Sequence, residues 1–280
     1  MIIDAHHHLW EDLTRRDYGW LAGLGAIRRP YTVDDLAEVT PADRTILVQT
    51  VPTVEETEEF LATAAATPLI AGVVGWLDLT TPDVADRIAA LREAPGGDTL
   101  VGIRHPAQGE ADPDWLRRPD VVRGVRAVAE AGLTFDVLVL PPQHQAAIAL
   151  ADAVPGARLV LDHAGKPAIA AGGYAPWAGF LTELAARPNV FCKLSGLVTE
   201  ADWTKWTVED LRPYAAHVLT SFGPDRVMFG SDWPVCELAA TYAQVYGSAR
   251  TVTSDLSPSE QDEVFGGTAT RAYPISGHVA

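Results

Sequence analysis

Met1-Ile2-Ile3-Asp4-Ala5-His6-His7-His8-Leu9-Trp10 opens the chain. Ile2 and Ile3 read as a short buried strand. Side chains two apart on a strand point to one face, so His6 and His8 converge at its C-terminal end. Two converging imidazoles can hold a metal ion or a reacting oxygen. Two plainer readings compete with this, a cloning tag and a polar strand end without chemistry. Three histidines set inside Asp-Ala-His-His-His-Leu-Trp make a poor tag. Against an idle strand end stands the rest of the chain, which supplies seven more strand-like runs and a matching histidine and aspartate.

Those further runs lie at 45–50, 69–76, 100–105, 133–140, 158–163, 189–195 and 226–232. Between them, helical spacing marks 54–66, 83–93, 119–131, 143–153, 177–187 and 208–222, and two more helices at 239–252 and 258–272 close the chain. The strand runs are nearly continuous in Val, Ile, Leu and Phe, as strands buried on both faces require. Eight strands alternating with helices predict an α/β fold, a (β/α)8 TIM-like barrel. An open doubly wound sheet is the competitor, but no Gly-rich phosphate turn follows any early strand. No composition break divides residues 1–280, which predicts a single domain. Residues 11–43, with Tyr18, Trp20, Gly23, Gly25 and Tyr31, form a connection long enough to be functional or a lid.

Composition sets bounds on partners. Hydrophobic residues make up 48% of the chain, ample for a buried core. A net charge of −16 without any basic run excludes nucleic acid and acidic membrane as partners, and leaves a small molecule. Cys192 and Cys236 imply no disulfide framework. No apolar run reaches about 18 residues, so a soluble cytoplasmic protein is expected. Nothing in the sequence speaks to oligomeric state.

In a barrel of this kind chemistry sits at the C-terminal strand ends. The first strand ends in His6 and His8, the third near Trp76 and Asp78, and the fourth in Arg104-His105. The sixth ends in His163 with Lys166 beyond it, the seventh carries Lys193 and Ser195 on one face, and the eighth ends in Asp232. The chain has only three lysines, Lys166, Lys193 and Lys205, and two of them fall at this rim. Bland readings exist for each. His163 would then be a core histidine capped by Asp162, Lys193 a snorkelling strand-end lysine, and Arg104 half of an ordinary ion pair. Cys192 alternates with Lys193 and should face the helices. Trp10, Trp20, Trp76, Trp203, Trp206 and Trp233 lie in or beside the strand-end loops, some as packing and some as walls for a sugar ring.

Five segments carry a resemblance: Asp-Ala-His-His-His-Leu-Trp (4–10), Gly-Ile-Arg-His (102–105), Leu-Asp-His-Ala-Gly-Lys-Pro (161–167), Cys-Lys-Leu-Ser-Gly-Leu-Val-Thr-Glu-Ala (192–201) and Met-Phe-Gly-Ser-Asp-Trp-Pro-Val-Cys (228–236). Taken in order over nearly the whole chain, they resemble the amidohydrolase superfamily (amidohydrolase-related family 2). More closely, they resemble its sugar-lactonase branch, the L-fuconolactonase- and L-rhamnonolactonase-like enzymes. The resemblance implies a distorted barrel of the metal-dependent-hydrolase type that hydrolyses at its strand ends. Binuclear members of the superfamily carry a bridging lysine or carboxylate on strand four and histidines on strands five and six. Here strand four offers Arg104-His105, and Phe135-Asp136-Val137-Leu138 on strand five has no histidine, which argues against a two-metal site.

The expected reaction is hydrolysis of a small-molecule sugar lactone. Asp232 acts as general base on a water placed by His163 or by one metal. His6, His8 and Asp232 form the single metal site, and their ligand types suit zinc among divalent cations. Metal-free catalysis stays open, with His6, His8 and Lys166 polarising the carbonyl. Arg104, His105, Lys166, Lys193 and Trp76 are expected to line the substrate pocket. A substrate with two carboxylates would call for several loop arginines, so a neutral sugar lactone fits better. A dicarboxylate lactonase, a metal-dependent non-oxidative decarboxylase of the same superfamily and an inert sugar-acid binder are the alternatives.

Overall fold

A computed structural model describes residues 1–275. The single-domain expectation runs on over residues 276–280, which lie outside the described residues. The strands are β1 (Ile3–His7), β2 (Arg44–Val48), β3 (Ile70–Gly75), β4 (Leu100–His105), β5 (Thr134–Val137), β6 (Leu159–Leu161), β7 (Val190–Leu194) and β8 (Val227–Phe229). Each pairs in parallel with the next, in chain order. The expected (β/α)8 barrel is what the chain forms. Closure between β8 and β1 comes at their upper ends, just beyond the regular ladder. His7 bridges Trp233 there. The Asp232 N–H donates to the His6 carbonyl at 2.8 Å, and the His8 N–H to the Trp233 carbonyl at 2.7 Å.

Helices form where the pattern and caps agree. Thr53 caps the helix Val54–Ala66 by accepting from the Glu56 N–H, Glu55 and Glu56 occupy its first turn, and Phe60, Leu61 and Ala64 make its buried stripe. Pro119 opens Pro119–Glu130, whose Val121, Gly124, Val125 and Val128 face inward. A Thr207–Asp210 capping box starts Val208–Phe222. The core has two layers. The outer one packs helices on strands and includes Cys192, as its alternation with Lys193 requires. The inner one fills the barrel with Ile3, Ala5, Ile46, Val48, Val74, Val101, Val160 and Met228. Each fully buried Val or Ile contributes about 1.5–3 kcal/mol relative to an exposed one. Ala269, Ala272 and Tyr273 join this inner layer from below, so the helix Thr268–Ala272 plugs the barrel floor.

Three differences from the sequence reading bear on the site. β6 stops at Leu161 and β8 at Phe229, where the apolar run gives way to Asp162-His163 and to Gly230-Ser231-Asp232. His163 and Asp232 therefore sit in turns, with φ of 52° and 57°. Residues 11–43 do not hang over the mouth as a loose lid. Trp10 and Tyr31 pair through two backbone hydrogen bonds, and Trp10, Trp20, Tyr31 and Trp233 meet edge to face. The helical run 258–272 is broken into Pro258–Asp262, a π-helical turn Glu263–Gly267 and Thr268–Ala272. Gly266 lies in that turn, where an added Cβ would stand 2.4 Å from the Met1 carbonyl oxygen. Among the described residues no helix is long and apolar enough to cross a membrane.

Candidate active site

At the mouth four side chains come together. The β1–β2 register shifts between Asp4 and His7, and this bulge lets Ala5 pack inside the barrel while His6 and His8 both face the mouth. The Nδ1–H of His8 donates to the Val48 carbonyl at 2.8 Å, which leaves its Nε2 lone pair facing His6 Nε2 3.1 Å away. Asp232 Oδ1 stands 3.6 Å from His8 Nε2, 3.8 Å from His6 Nε2 and 3.9 Å from His163 Nε2. His163 is tied on its other side, Nδ1 to Ser195 Oγ at 2.9 Å. Two glycines make this closeness possible. A Cβ on Gly196 would lie 2.7 Å from His163 Nδ1, and one on Gly230 would lie 2.8 Å from the His6 Cβ. Asp4, which sequence reasoning passed over, pins the seam: its carboxylate accepts from the N–H groups of His6 and Ser231 and from the Tyr242 hydroxyl.

Burial sets the protonation states. It pushes His163 down to about 4 against the opposing pull of Asp232 and Asp162, so the ring is neutral near pH 7. Burial, reinforced by the Lys193 ammonium, also holds His6 well below the ordinary histidine range. For Asp232 burial acts to raise the carboxyl, but His163, His8 and Lys166 outweigh it and keep it below its usual value. The mouth thus presents neutral imidazoles beside an ionised carboxylate.

Beneath the mouth lies a buried charge network, and it corrects the expectation that Lys193 and Arg104 reach substrate. Lys193 is 0% exposed. Its ammonium lies against Asp136 Oδ2 at 2.5 Å, Asp162 Oδ1 at 2.9 Å and His6 Nδ1 at 3.0 Å. Arg104 donates to Asp162 Oδ2 at 2.9 Å and to the side chain of Gln49 at 2.9 Å, with its Nη1 3.4 Å from His6 Nε2. The Tyr273 hydroxyl reaches Asp136 from the floor, 2.8 Å from both carboxylate oxygens. Burial would neutralise Asp162, yet Lys193, His6 and Arg104 hold it well below the carboxylate range. Asp136, Asp162, Gln49 and Tyr273 were not assigned roles from sequence. A signal was present: two aspartates interrupt the apolar strands five and six, flanked by one cation on strand four and one on strand seven. Alternation along each strand turns all four inward.

The remaining rim residues form two separate groups rather than one pocket wall with Arg104 and Lys193. At the ends of β3 and β4, the Trp76 Nε1–H donates to His105 Nδ1 at 3.1 Å, so the His105 Nε2–H donates to Glu110 Oε1 at 2.7 Å. The His105 ring stacks on Trp115 with centroids 3.9 Å apart. Beyond β6 and β7, Lys166 Nζ lies 4.0 Å from Glu200 Oε1. Of the other tryptophans, Trp10 and Trp233 are buried packing, Trp206 donates to the Ala239 carbonyl, and Trp20 and Trp203 are partly exposed.

The donor set fits a divalent ion. His6, His8 and Asp232 offer two imidazole nitrogens and a carboxylate oxygen close enough to share one. His6 Nδ1 lies 3.3 Å from Asp162 Oδ1 and 3.0 Å from Lys193 Nζ, so the network beneath fixes the ring with Nε2 toward the mouth. A second grouping, His6, Asp162 and His163, is geometrically close. There Lys193 and Arg104 already sit against Asp162, and two fixed cations disfavour a third.

Comparison with known proteins agrees with this geometry. A family model described as Amidohydrolase matches residues 3–275. The chain is 43% identical to an L-fucono-1,5-lactonase of Burkholderia multivorans, over 98% of this chain and 96% of that one. It is 39% identical to an L-fucono-1,5-lactonase of Burkholderia ambifaria, over 98% and 95%. A crystal structure of a Burkholderia multivorans amidohydrolase with bound zinc superposes with a TM-score of 0.92 at 40% identity, over 98% and 99% of the two chains.

Proposed function

The chain belongs to the amidohydrolase family, and on that footing we propose that it is a lactonase, a hydrolase that opens a sugar lactone of the L-fucono-1,5-lactone kind to the free sugar acid. The observation that carries this reading is the cluster of His6, His8, His163 and Asp232 at the barrel mouth, in a chain 43% identical to a lactonase over 98% of its length.

Asp232 is the general base. It is ionised at neutral pH and lies against three imidazole nitrogens that can share a water with it. As the water attacks the lactone carbonyl, Asp232 takes its proton. The new oxyanion is met by N–H donors of the mouth and by the Lys166 ammonium. The protonated Asp232 then returns the proton to the ring oxygen as the C–O bond breaks. His163, held by Ser195, orients the water. Lys193 and Arg104 act from below, fixing His6 through Asp162. Trp76 and His105 flank the sugar. His6, His8 and Asp232 would hold a single divalent ion, zinc by ligand type; such an ion polarises a carbonyl and acidifies water. The reading includes a cytoplasmic enzyme, in keeping with two free, buried cysteines.

The test is a panel of aldonolactones with a pH indicator, alongside metal analysis of the purified protein. Acid release well above the buffer rate is expected from neutral sugar lactones. If none of them is opened faster than in buffer alone, the reading fails.

A further inference from the structure

Most of the cations at the strand ends are already matched by a carboxylate of the chain itself. Arg104 is held by Asp162, and Lys193 by Asp136 and Asp162. Lys166 differs. Its side chain is 20% exposed, and its carboxylate neighbour Glu200, 23% exposed, stands 4.0 Å away, beyond hydrogen-bond distance. Among the described residues no protein donor comes within hydrogen-bond distance of the Glu200 carboxylate. A half-buried carboxylate without a donor is an acceptor set toward something other than the protein.

Backbone geometry sets both groups beside Asp232. Lys166 follows β6 with φ of 53°, a left-handed turn that redirects its side chain. Gly196, at φ 66°, launches the short helix Leu197–Glu200 straight after β7. β7 lies between β6 and β8, and Asp232 follows β8. The three charges feel one another: burial raises the Glu200 carboxyl, Lys166 opposes this, and Asp232 adds to it. Two carboxylates therefore face one ammonium. Sugar hydroxyls are donors and acceptors at once, and such a set satisfies them. A carboxylate on the substrate would meet two carboxylates there, with the Lys166 ammonium shared between them.

We propose that Glu200 is the specificity-determining residue that admits neutral polyhydroxylated lactones and turns away carboxylated ones, by accepting hydrogen bonds from sugar hydroxyls and by neutralising Lys166. This rests on the sugar-lactone reading above. The balance is a difference between two affinities, so one substitution moves it in opposite directions for the two substrate classes.

The experiment measures kcat and KM for a neutral aldonolactone and for an aldarolactone, which carries a free carboxylate. The proteins are wild type, Glu200→Gln and Glu200→Gln/Lys166→Met. Gln keeps the size of Glu and removes the charge. For Glu200→Gln, kcat/KM on the neutral lactone should fall about tenfold, chiefly through KM, the size of one lost charge-assisted hydrogen bond. On the aldarolactone it should rise about tenfold, because Lys166 is freed. The double variant should lose that rise. A wild type that opens the neutral lactone, with a Glu200→Gln ratio between the two substrates unchanged, overturns the role of Glu200 alone. So does an equal fall on both, the mark of a merely structural residue. A wild type inert to every neutral lactone overturns the underlying reading, and this proposal with it.

Discussion

Asp232 joins backbone conformation to chemistry. Its φ of 57° is one that aspartate and asparagine adopt more readily than most residues. The left-handed turn carries the carboxylate away from β8 and over His6 and His8. Asp232→Asn keeps both that conformation and the side-chain shape. Circular dichroism and thermal melting should be close to wild type, while kcat on the lactone falls by at least ~10²-fold. Near-wild-type turnover by the folded variant would remove Asp232 as the base. The gathering of His6, His8, His163 and Asp232 was legible in sequence, because each ends an apolar run and a barrel brings its strand ends together. Lys193 was misread for a physical reason. A rim ammonium and a buried one look alike until the carboxylates of neighbouring strands are placed, and Asp136 and Asp162 reach it only through the closed barrel.

At the scale of elements, the eight apolar runs were plain, because strands buried on both faces leave few polar interruptions. Their ends were not. The polar tails Asp162-His163 and Gly230-Ser231-Asp232 leave the ladder, so β6 and β8 are shorter than the runs read for them. The helix Thr268–Ala272 was read only as part of one closing run 258–272, and it closes the barrel floor, since its short alanine face suits the narrow barrel interior. Tyr273 then extends from it to Asp136. Tyr273→Phe keeps the ring and deletes the hydrogen bond to a buried carboxylate, and should cost about 1.5–3 kcal/mol in urea unfolding. A variant as stable as wild type would mean that Asp136 does not depend on the floor.

For the whole molecule the buried histidines set the response to acid. Burial depresses His7 to about 3, and His144 and His163 to about 4, against 6.5 in an unfolded chain. Below pH 6.5 the unfolded state binds protons that the folded state refuses, so stability present above that pH is lost as pH falls toward about 4. Each histidine held at about 4 contributes a loss of about 2 kcal/mol by pH 5. Asp4, raised to about 6 by burial, works the other way and offsets part of the loss. His144 is outside the site, stacked on Phe180 with centroids 3.6 Å apart, its Nε2–H donating to the Gly165 carbonyl. In His144→Gln an N–H donor remains and the titrating ring is gone. The fall in urea-measured stability between pH 7.5 and pH 5 should be smaller than in wild type by about 2 kcal/mol. An unchanged fall would count against a buried neutral His144.

The seam between β8 and β1 has a consequence for synthesis on the ribosome. His6 and His8 emerge among the first residues, whereas Asp232 and the Tyr273 that steadies the network beneath them follow more than two hundred residues later. A nascent chain therefore carries two imidazoles and an unpaired edge of β1 for most of its translation, without the carboxylate that stands beside them in the folded barrel. The barrel cannot close until the two ends of the chain meet, and a prematurely terminated chain lacks both the β8–β1 seam and Asp232.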